Sequence, residues 1–205
     1  MNPDARFDAQ RMSGPAARWQ TRDFIVAAAL AVPIGLVWSF VWEPIWRPAV
    51  ALVPEAGQFI AGFYIVAGVL SGYVIRRPGA ALLGELLGAI VEIPFIGAGP
   101  TLFWVALLEG LGPEVAFLVT RYRRFDLPVL LIGGALGGVF VLVGYSYVAQ
   151  SWWNLAIGVQ VVRIVFKLAG GAVFAGLAGK FIGDALVQTG VLNNFPIARA
   201  RQRPI

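Results

Sequence analysis

Charged residues interrupt this chain so rarely that apolar stretches of about 18 to 22 residues lie between them. As a helix rising 1.5 Å per residue, each stretch is long enough to cross the roughly 30 Å hydrocarbon core of a bilayer. Backbone groups inside lipid must find their hydrogen bonds within the protein, which favours helices. The composition agrees, because 59% of the residues are hydrophobic and 13% are charged. The sequence therefore predicts an all-α integral membrane protein.

Hydropathy predicts a six-transmembrane-helix bundle within the 205 residues. The first apolar stretch is too long for a signal-peptide core, so we expect it to be retained. Prolines at Pro44, Pro48 and Pro54 predict turns in the first loop. We expect a basic N-terminal segment at 1–23, one membrane domain at 24–187 and a basic tail at 188–205. The predicted spans are 24–42, 57–75, 80–96, 101–122, 127–148 and 155–182.

The arginines predict the orientation of the bundle. They occur before the first span and after the second, fourth and sixth spans, whereas the opposite loops contain only Arg47. Basic loops remain on the cytoplasmic side of a membrane. We therefore expect cytoplasmic N- and C-termini. The residues are Arg6, Arg11, Arg18, Arg22, Arg76, Arg77, Arg121, Arg123, Arg124, Lys180, Arg199, Arg201 and Arg203.

The chain contains no histidine and no cysteine. This excludes disulfides, thiolate nucleophiles, the usual zinc sites and the commonest general base. The formal charge of +5 is explained by topology and anionic lipid, so we do not expect nucleic-acid binding. The few serines lie in no nucleophile motif. We therefore expect no enzymatic activity, no cofactor and no metal.

Small residues recur every four positions in five of the predicted spans. Such stripes let helix backbones approach closely in lipid, and internal packing is their usual role. The stripe Ala27, Ala31 and Gly35 lies on a terminal helix near the cytoplasmic end, where a partner subunit could reach it. Its two alternatives are therefore internal packing and a partner interface.

Aromatic and polar side chains concentrate at the predicted extracellular ends of the spans. An interfacial aromatic belt is one explanation, but belts normally occur at both faces of a membrane. The excess on one side favours an aromatic-lined cavity. The candidates from this set are Trp38, Trp42, Glu43, Tyr64, Trp104, Tyr145 and Asn154.

Ionisable residues within the spans are the strongest functional indication, because each is costly in hydrocarbon and normally faces the bundle interior. Glu92, Glu109 and Arg163 fall in the outer half, where carboxylates beside aromatic rings suit a planar organic cation. A proton relay is the alternative. Glu85, Glu114 and Lys167 fall deeper and are interpreted as a layer in which a Glu–Lys pair fixes helix register.

These features resemble the substrate-binding S-components of energy-coupling factor (ECF) transporters, in particular the YkoE-type family associated with thiamin or its hydroxymethylpyrimidine precursor. Segments throughout the chain carry the resemblance. They are Ala27-x-x-x-Ala31, residues 38–46, Gly84-Glu85-Leu86-Leu87-Gly88, Glu92-Ile93-Pro94, Glu109-Gly110 and Pro113-Glu114. One departure is the absence of histidine, which contributes to ligand contacts in some thiamin-binding S-components.

The resemblance implies a vitamin-binding subunit in the bacterial cytoplasmic (inner) membrane. Such a subunit captures its ligand outside and works with a transmembrane coupling subunit and cytoplasmic ATPase subunits. The chain has no phosphate-binding loop of its own, which fits that division of labour. The alternative function is a proton-coupled secondary transporter of a small organic cation, although the two halves of the chain show no convincing internal repeat.

Overall fold

The computed structural model describes residues 19–193 and 195–201, and this part of the chain is helical with short connections. Arg6, Arg11, Arg18 and Arg203, which contributed to the predicted orientation, lie outside the described residues. The predicted helical fold class is confirmed for the part that is described. The main elements are α1 (Thr21–Leu52), α2 (Pro54–Ile75), α3 (Ala80–Ile96), α4 (Gly99–Val119), α5 (Leu127–Tyr147), α6 (Ile157–Gln188) and the short α7 (Pro196–Arg201).

Five of these helices, α1, α2, α4, α5 and α6, are long and apolar enough to cross a membrane. The remaining predicted span, 80–96, is found as α3 with the predicted bounds and has 17 residues. That length is at the lower limit for a membrane-spanning helix. Large apolar side chains such as Ile25, Phe40 and Phe181 are exposed on the outside of the bundle, as expected of a surface that faces lipid.

The predicted first loop is wrong, because α1 continues through Pro44 and Pro48 to Leu52. This extension is the α-helical segment Glu43–Leu52, and a π-helical stretch at Trp38–Trp42 precedes it. Pro44 is therefore in the first turn of a segment, where a missing backbone N–H costs little. With 32 residues, α1 is about 48 Å long and exceeds the hydrocarbon thickness.

Glycines bring helix backbones into direct contact. A Cβ atom added at Gly62 of α2 would lie 2.0 Å from the carbonyl carbon of Gly170 in α6. One added at Gly112 of α4 would lie 1.9 Å from the backbone nitrogen of Gly137 in α5. No side chain fits at such crossings. Gly137 belongs to a predicted small-residue stripe, and its internal packing role is confirmed.

The stripe of α1 also packs inside the chain. Ala27 and Ala31 are fully buried, and a Cβ atom added at Gly35 would lie 2.5 Å from the carbonyl oxygen of Gly88 in α3. The chain's own helices therefore cover this face. The prediction of a partner interface at Ala27, Ala31 and Gly35 is corrected to an internal contact between α1 and its neighbours.

The glycine crossings predict a sharp contrast within α6. We expect Gly170→Ala to destabilise the protein by about 1–3 kcal/mol or more, because the new methyl group collides with the backbone of Phe59. Gly158→Ala is the matched control, since nothing lies within 4 Å of a Cβ atom there. Alanine favours helix by up to about 1 kcal/mol over glycine, so the control should unfold at the same temperature or higher. Thermal unfolding in detergent checks both variants, and equal midpoints would contradict the close crossing.

Candidate functional site

A cavity of about 350 Å³ lies at one end of the bundle, and all six long helices contribute to its wall. This size is within the range of small-molecule sites. Its lining includes Ala98 and Gln150 from the connections after α3 and α5. The arginine-rich connections after α2 and α4 are at the opposite end of these helices. The cavity is therefore at the end that the sequence predicts to be extracellular.

Irregular helical turns surround the cavity. α2 contains a 3₁₀ stretch at Ala61–Ile65, and π-helical stretches occur at Trp38–Trp42 in α1 and Leu142–Tyr147 in α5. The cavity residues Trp38, Ala61, Tyr64 and Tyr145 belong to these stretches. Such interruptions in membrane helices commonly occur at binding sites, because they present backbone groups and re-aim side chains.

Two buried carboxylates of α3 provide acceptor atoms without a partner. Glu85 is 0% exposed and accepts a 2.6 Å hydrogen bond from the backbone N–H of Gly68 through Oε2. Its Oε1 atom, and Oε1 of the 1% exposed Glu92, have no hydrogen-bond partner among the described residues. Buried polar atoms without partners are rare and costly in proteins. Both side chains line the cavity, so the two carboxyl groups lie beside it.

Glu43 has a different role, because both of its oxygens are occupied. Oε1 accepts a 2.6 Å hydrogen bond from Arg47, and Oε2 accepts a 2.5 Å bond from the hydroxyl of Tyr64. The Arg47 side chain is 59% exposed and lines the cavity. This group therefore ties α1 to α2 and shapes the entrance of the cavity.

The opposite part of the wall carries Glu109 of α4 and Lys167 of α6. The ammonium group of Lys167 donates a 3.0 Å hydrogen bond to Oε1 of Gln58 and lies 5.7 Å from the ring centre of Trp152. Glu109 and Lys167 also line a small adjoining void of about 10 Å³. Within the described ranges, no ion pair within 4 Å joins them.

Three tryptophans spaced four residues apart attach α1 to α2. Each indole N–H donates to a backbone carbonyl of α2, which satisfies the polar end of a buried ring. Trp38 and Trp46 also face the cavity, whereas Trp42 packs between Phe63 and Phe174 with ring centres 4.3 and 5.6 Å away. The bonds are Trp38 to Phe63 at 3.2 Å, Trp42 to Ile60 at 3.2 Å and Trp46 to Gly57 at 3.1 Å.

Six of the ten predicted ligand-binding residues line the cavity, so the structure brings these side chains together as the sequence predicts. Their contact with a ligand stays a prediction. The six come from α1 to α5, and their proximity follows from the shared position of the helix ends at one side of the bundle. They are Trp38, Glu43, Tyr64, Glu92, Glu109 and Tyr145.

The other four do not line the cavity. Arg163 forms a 3.1 Å ion pair with Glu55 at the α2–α6 contact. Trp104 is 48% exposed and its indole donates to the carbonyl of Gly144. Asn154 is exposed in the α5–α6 connection, and Trp42 turns away as described above. Trp42, Trp104 and Arg163 are at the correct end of the bundle but on helix faces that turn away from the cavity, and Asn154 is in a connection.

Sequence reasoning missed several cavity residues. Trp46 continues the four-residue spacing of Trp38 and Trp42, and that spacing was an available signal once α1 was known to continue. Gln58 and Gln150 carry no pattern that distinguishes them from other polar residues near a membrane boundary. The missed polar and aromatic residues are Trp46, Arg47, Gln58, Glu85, Thr101, Gln150 and Lys167.

The predicted deeper layer of Glu85, Glu114 and Lys167 is wrong. Glu85 and Lys167 line the cavity, whereas Glu114 binds the start of α3. The Glu114 carboxylate accepts hydrogen bonds from the backbone N–H groups of Gly79 at 2.6 Å and Ala81 at 3.1 Å, and from the Tyr122 hydroxyl. Free N–H groups at a helix start attract a carboxylate, so the partner of Glu114 is a helix end and not a lysine. Burial and this hydrogen bond raise the pKa of Tyr122.

The Glu114 contacts predict a structural role. We expect Glu114→Gln to lower stability by about 1–3 kcal/mol, because buried N–H groups lose a charged acceptor. Asp126→Asn at the same end of the bundle is the control: its salt bridge to Arg124 is exposed and asparagine also caps a helix start. Unfolding in detergent measures both variants. A stability loss in Asp126→Asn as large as in Glu114→Gln would contradict this role.

Comparison with known proteins gives one matching family model, described as the permease component of an ABC-type cobalt transport system, over residues 22–140. A protein of Bacillus subtilis (strain 168) that carries the name HMP/thiamine permease protein YkoE is 30% identical over 183 residues. The match covers 88% of this chain and 91% of that protein.

A solved structure has the same fold. It is described as the crystal structure of an S-component of ECF transporter, and it superposes with a TM-score of 0.85 at 28% sequence identity. The match covers 90% of this chain and 94% of that chain. The similarity thus extends over nearly the whole length of both chains.

Proposed function

The chain belongs to the YkoE family of ABC-type transport permease components, and we propose that it captures thiamin or its hydroxymethylpyrimidine precursor outside the cell. It is an S-component of an ECF transporter and not an enzyme.

The unpartnered buried oxygens of Glu85 and Glu92 are the observation that carries the proposal. An aminopyrimidine ring is planar and carries N–H donors, and thiamin also has a cationic ring. Carboxylate acceptors complement the donors, and the faces of Trp38, Trp46 and Tyr64 suit a planar cation. Ligand binding in this cavity would give the two oxygens the hydrogen bonds that they lack.

The cavity suits an organic molecule better than a metal ion. Although the matching family model is described by cobalt transport, this chain contains neither histidine nor cysteine, the nitrogen and sulfur ligands that proteins offer to transition metals. No group of three or more acidic side chains is close enough to hold a metal among the described residues. We therefore propose a vitamin or its precursor as the substrate.

The proposed orientation has six membrane crossings, with both termini in the cytoplasm and the cavity facing outward. Arg76, Arg77 and Arg121 would then lie on the cytoplasmic side, as the distribution of basic residues requires. In this scheme 1–23 and 188–205 are cytoplasmic segments flanking a membrane domain at 24–187. The membrane would be the bacterial cytoplasmic membrane.

Transport by this chain would require partner subunits. The chain lacks a phosphate-binding loop, so we propose that a transmembrane coupling subunit and cytoplasmic ATPases supply the energy. The purified chain in liposomes should therefore bind its ligand without accumulating it when a proton gradient is applied. Accumulation driven by the gradient alone would instead establish the proton-coupled secondary transporter.

Direct titration tests the site. In detergent, we expect isothermal titration to show saturable binding of thiamin or hydroxymethylpyrimidine to the wild-type chain. Glu92→Gln and Glu109→Gln should each weaken binding about tenfold or more, because a charged acceptor of the cavity is lost. Glu55→Gln is the matched control, since Glu55 pairs with Arg163 outside the cavity. Unchanged affinity in both cavity variants would contradict the proposed site.

A further inference from the structure

Two cationic side chains line the cavity, and they are not equivalent. Arg47 is paired with the carboxylate of Glu43 at 2.6 Å. Lys167 has no carboxylate within 4 Å among the described residues, and the carboxylate of Glu109 acts on it only at longer range. Its contacts are the neutral amide of Gln58 at 3.0 Å and the face of Trp152 at 5.7 Å. A cation without a carboxylate in direct contact is costly inside a membrane protein and indicates a functional position.

The ammonium group of Lys167 retains hydrogen-bonding capacity. It has three N–H donors, and one of them is used by Gln58. Gln58 and Lys167 both line the cavity, so the remaining donors can reach a bound molecule. The Gln58 amide oxygen also fixes the position of the amine at the end of a flexible side chain. Lys167 is thus a held donor and not a mobile surface charge.

The cavity therefore has two chemically different sides. The unpartnered acceptors, Glu85 and Glu92, are on α3, which packs against α1, α2 and α4. The donor, Lys167, is on α6, which packs against α2 and α5. A ligand that satisfies both sides must offer N–H donors at one end and a hydrogen-bond acceptor, such as a hydroxyl oxygen, at the other.

We infer that Lys167, positioned by Gln58, is a specificity-determining residue that binds a hydroxyl oxygen of the ligand while the α3 carboxylates bind its amino-substituted ring. This inference rests on the proposed function and names which part of that ligand each side of the cavity recognises. The hydroxymethyl group of the pyrimidine precursor is such an oxygen. Lys167 then selects ligands that carry the hydroxyl over ring systems that lack it.

A cycle of ligand and protein changes tests the assignment. The ligands are hydroxymethylpyrimidine and the analogue in which a methyl group replaces the hydroxymethyl group; the proteins are wild type and Lys167→Met, which keeps the length of the side chain without its charge. We expect wild type to prefer the hydroxyl-bearing ligand about tenfold or more, as for a hydrogen bond to a charged donor. In Lys167→Met the two affinities should become equal, because the partner of the hydroxyl is gone.

The outcomes separate the inference from the proposed function. Equal weakening of both ligands in Lys167→Met, or a preference that the variant retains, would overturn the role of Lys167 while leaving the site intact. Absence of binding of either pyrimidine and of thiamin to folded wild type would instead refute the proposed function and this inference with it. Gln58→Leu is a second variant that leaves Lys167 in place. It should reduce the preference for the hydroxyl without abolishing binding of the methyl analogue.

Discussion

The structure depends on one constraint: inside a membrane each polar group must find its partner within the protein. The carboxylate of Glu114 accepts hydrogen bonds from backbone N–H groups at the start of α3. Asp23 forms a 2.9 Å ion pair with Arg77, and both side chains are nearly buried. The indole N–H of Trp38 donates a hydrogen bond to a backbone carbonyl of α2. Oε1 of Glu85 and Oε1 of Glu92 have no such partner among the described residues, and both side chains line the cavity in which we propose that a ligand binds.

Close backbone crossings at glycines set the positions of the helices that make these polar contacts. Gly134 of α5 meets Gly171 of α6 so closely that an added Cβ atom would lie 2.0 Å from a carbonyl oxygen. In lipid, such contacts replace the hydrophobic drive that assembles helices in water. At the level of the cavity the large ring of Trp38 lies against Gly88 of α3, where an added Cβ atom would be 2.6 Å from the ring. The same small residues that bring helices together thus leave room for an aromatic wall.

Hydropathy was enough to predict where α2 to α6 lie, because spans in lipid have a length set by the bilayer. It failed in α1, since a π-helical turn lets the helix continue into a proline-containing segment that reads as a loop. The sequence was sufficient to predict at which end of the helices the cavity lies, and six of the ten predicted residues line it. Arg163 was misplaced because its partner, Glu55, lies on a turn of α2 that the sequence assigned to the loop. The rotation of a helix about its axis depends on side-chain packing, and the hydropathy of a single sequence contains little information about that packing.

The change of helix type in α2 lies beside the polar cavity. The 3₁₀ stretch Ala61–Ile65 ends one helical segment, and a new α-helical segment starts at Val66. Gly68 is the third residue of that segment, directly after the change of helix type. Oε2 of Glu85 accepts a 2.6 Å hydrogen bond from the backbone N–H of Gly68, and Oε1 has no partner among the described residues. One carboxylate thereby joins the backbone of α2, just after its change of helix type, to the wall of the cavity.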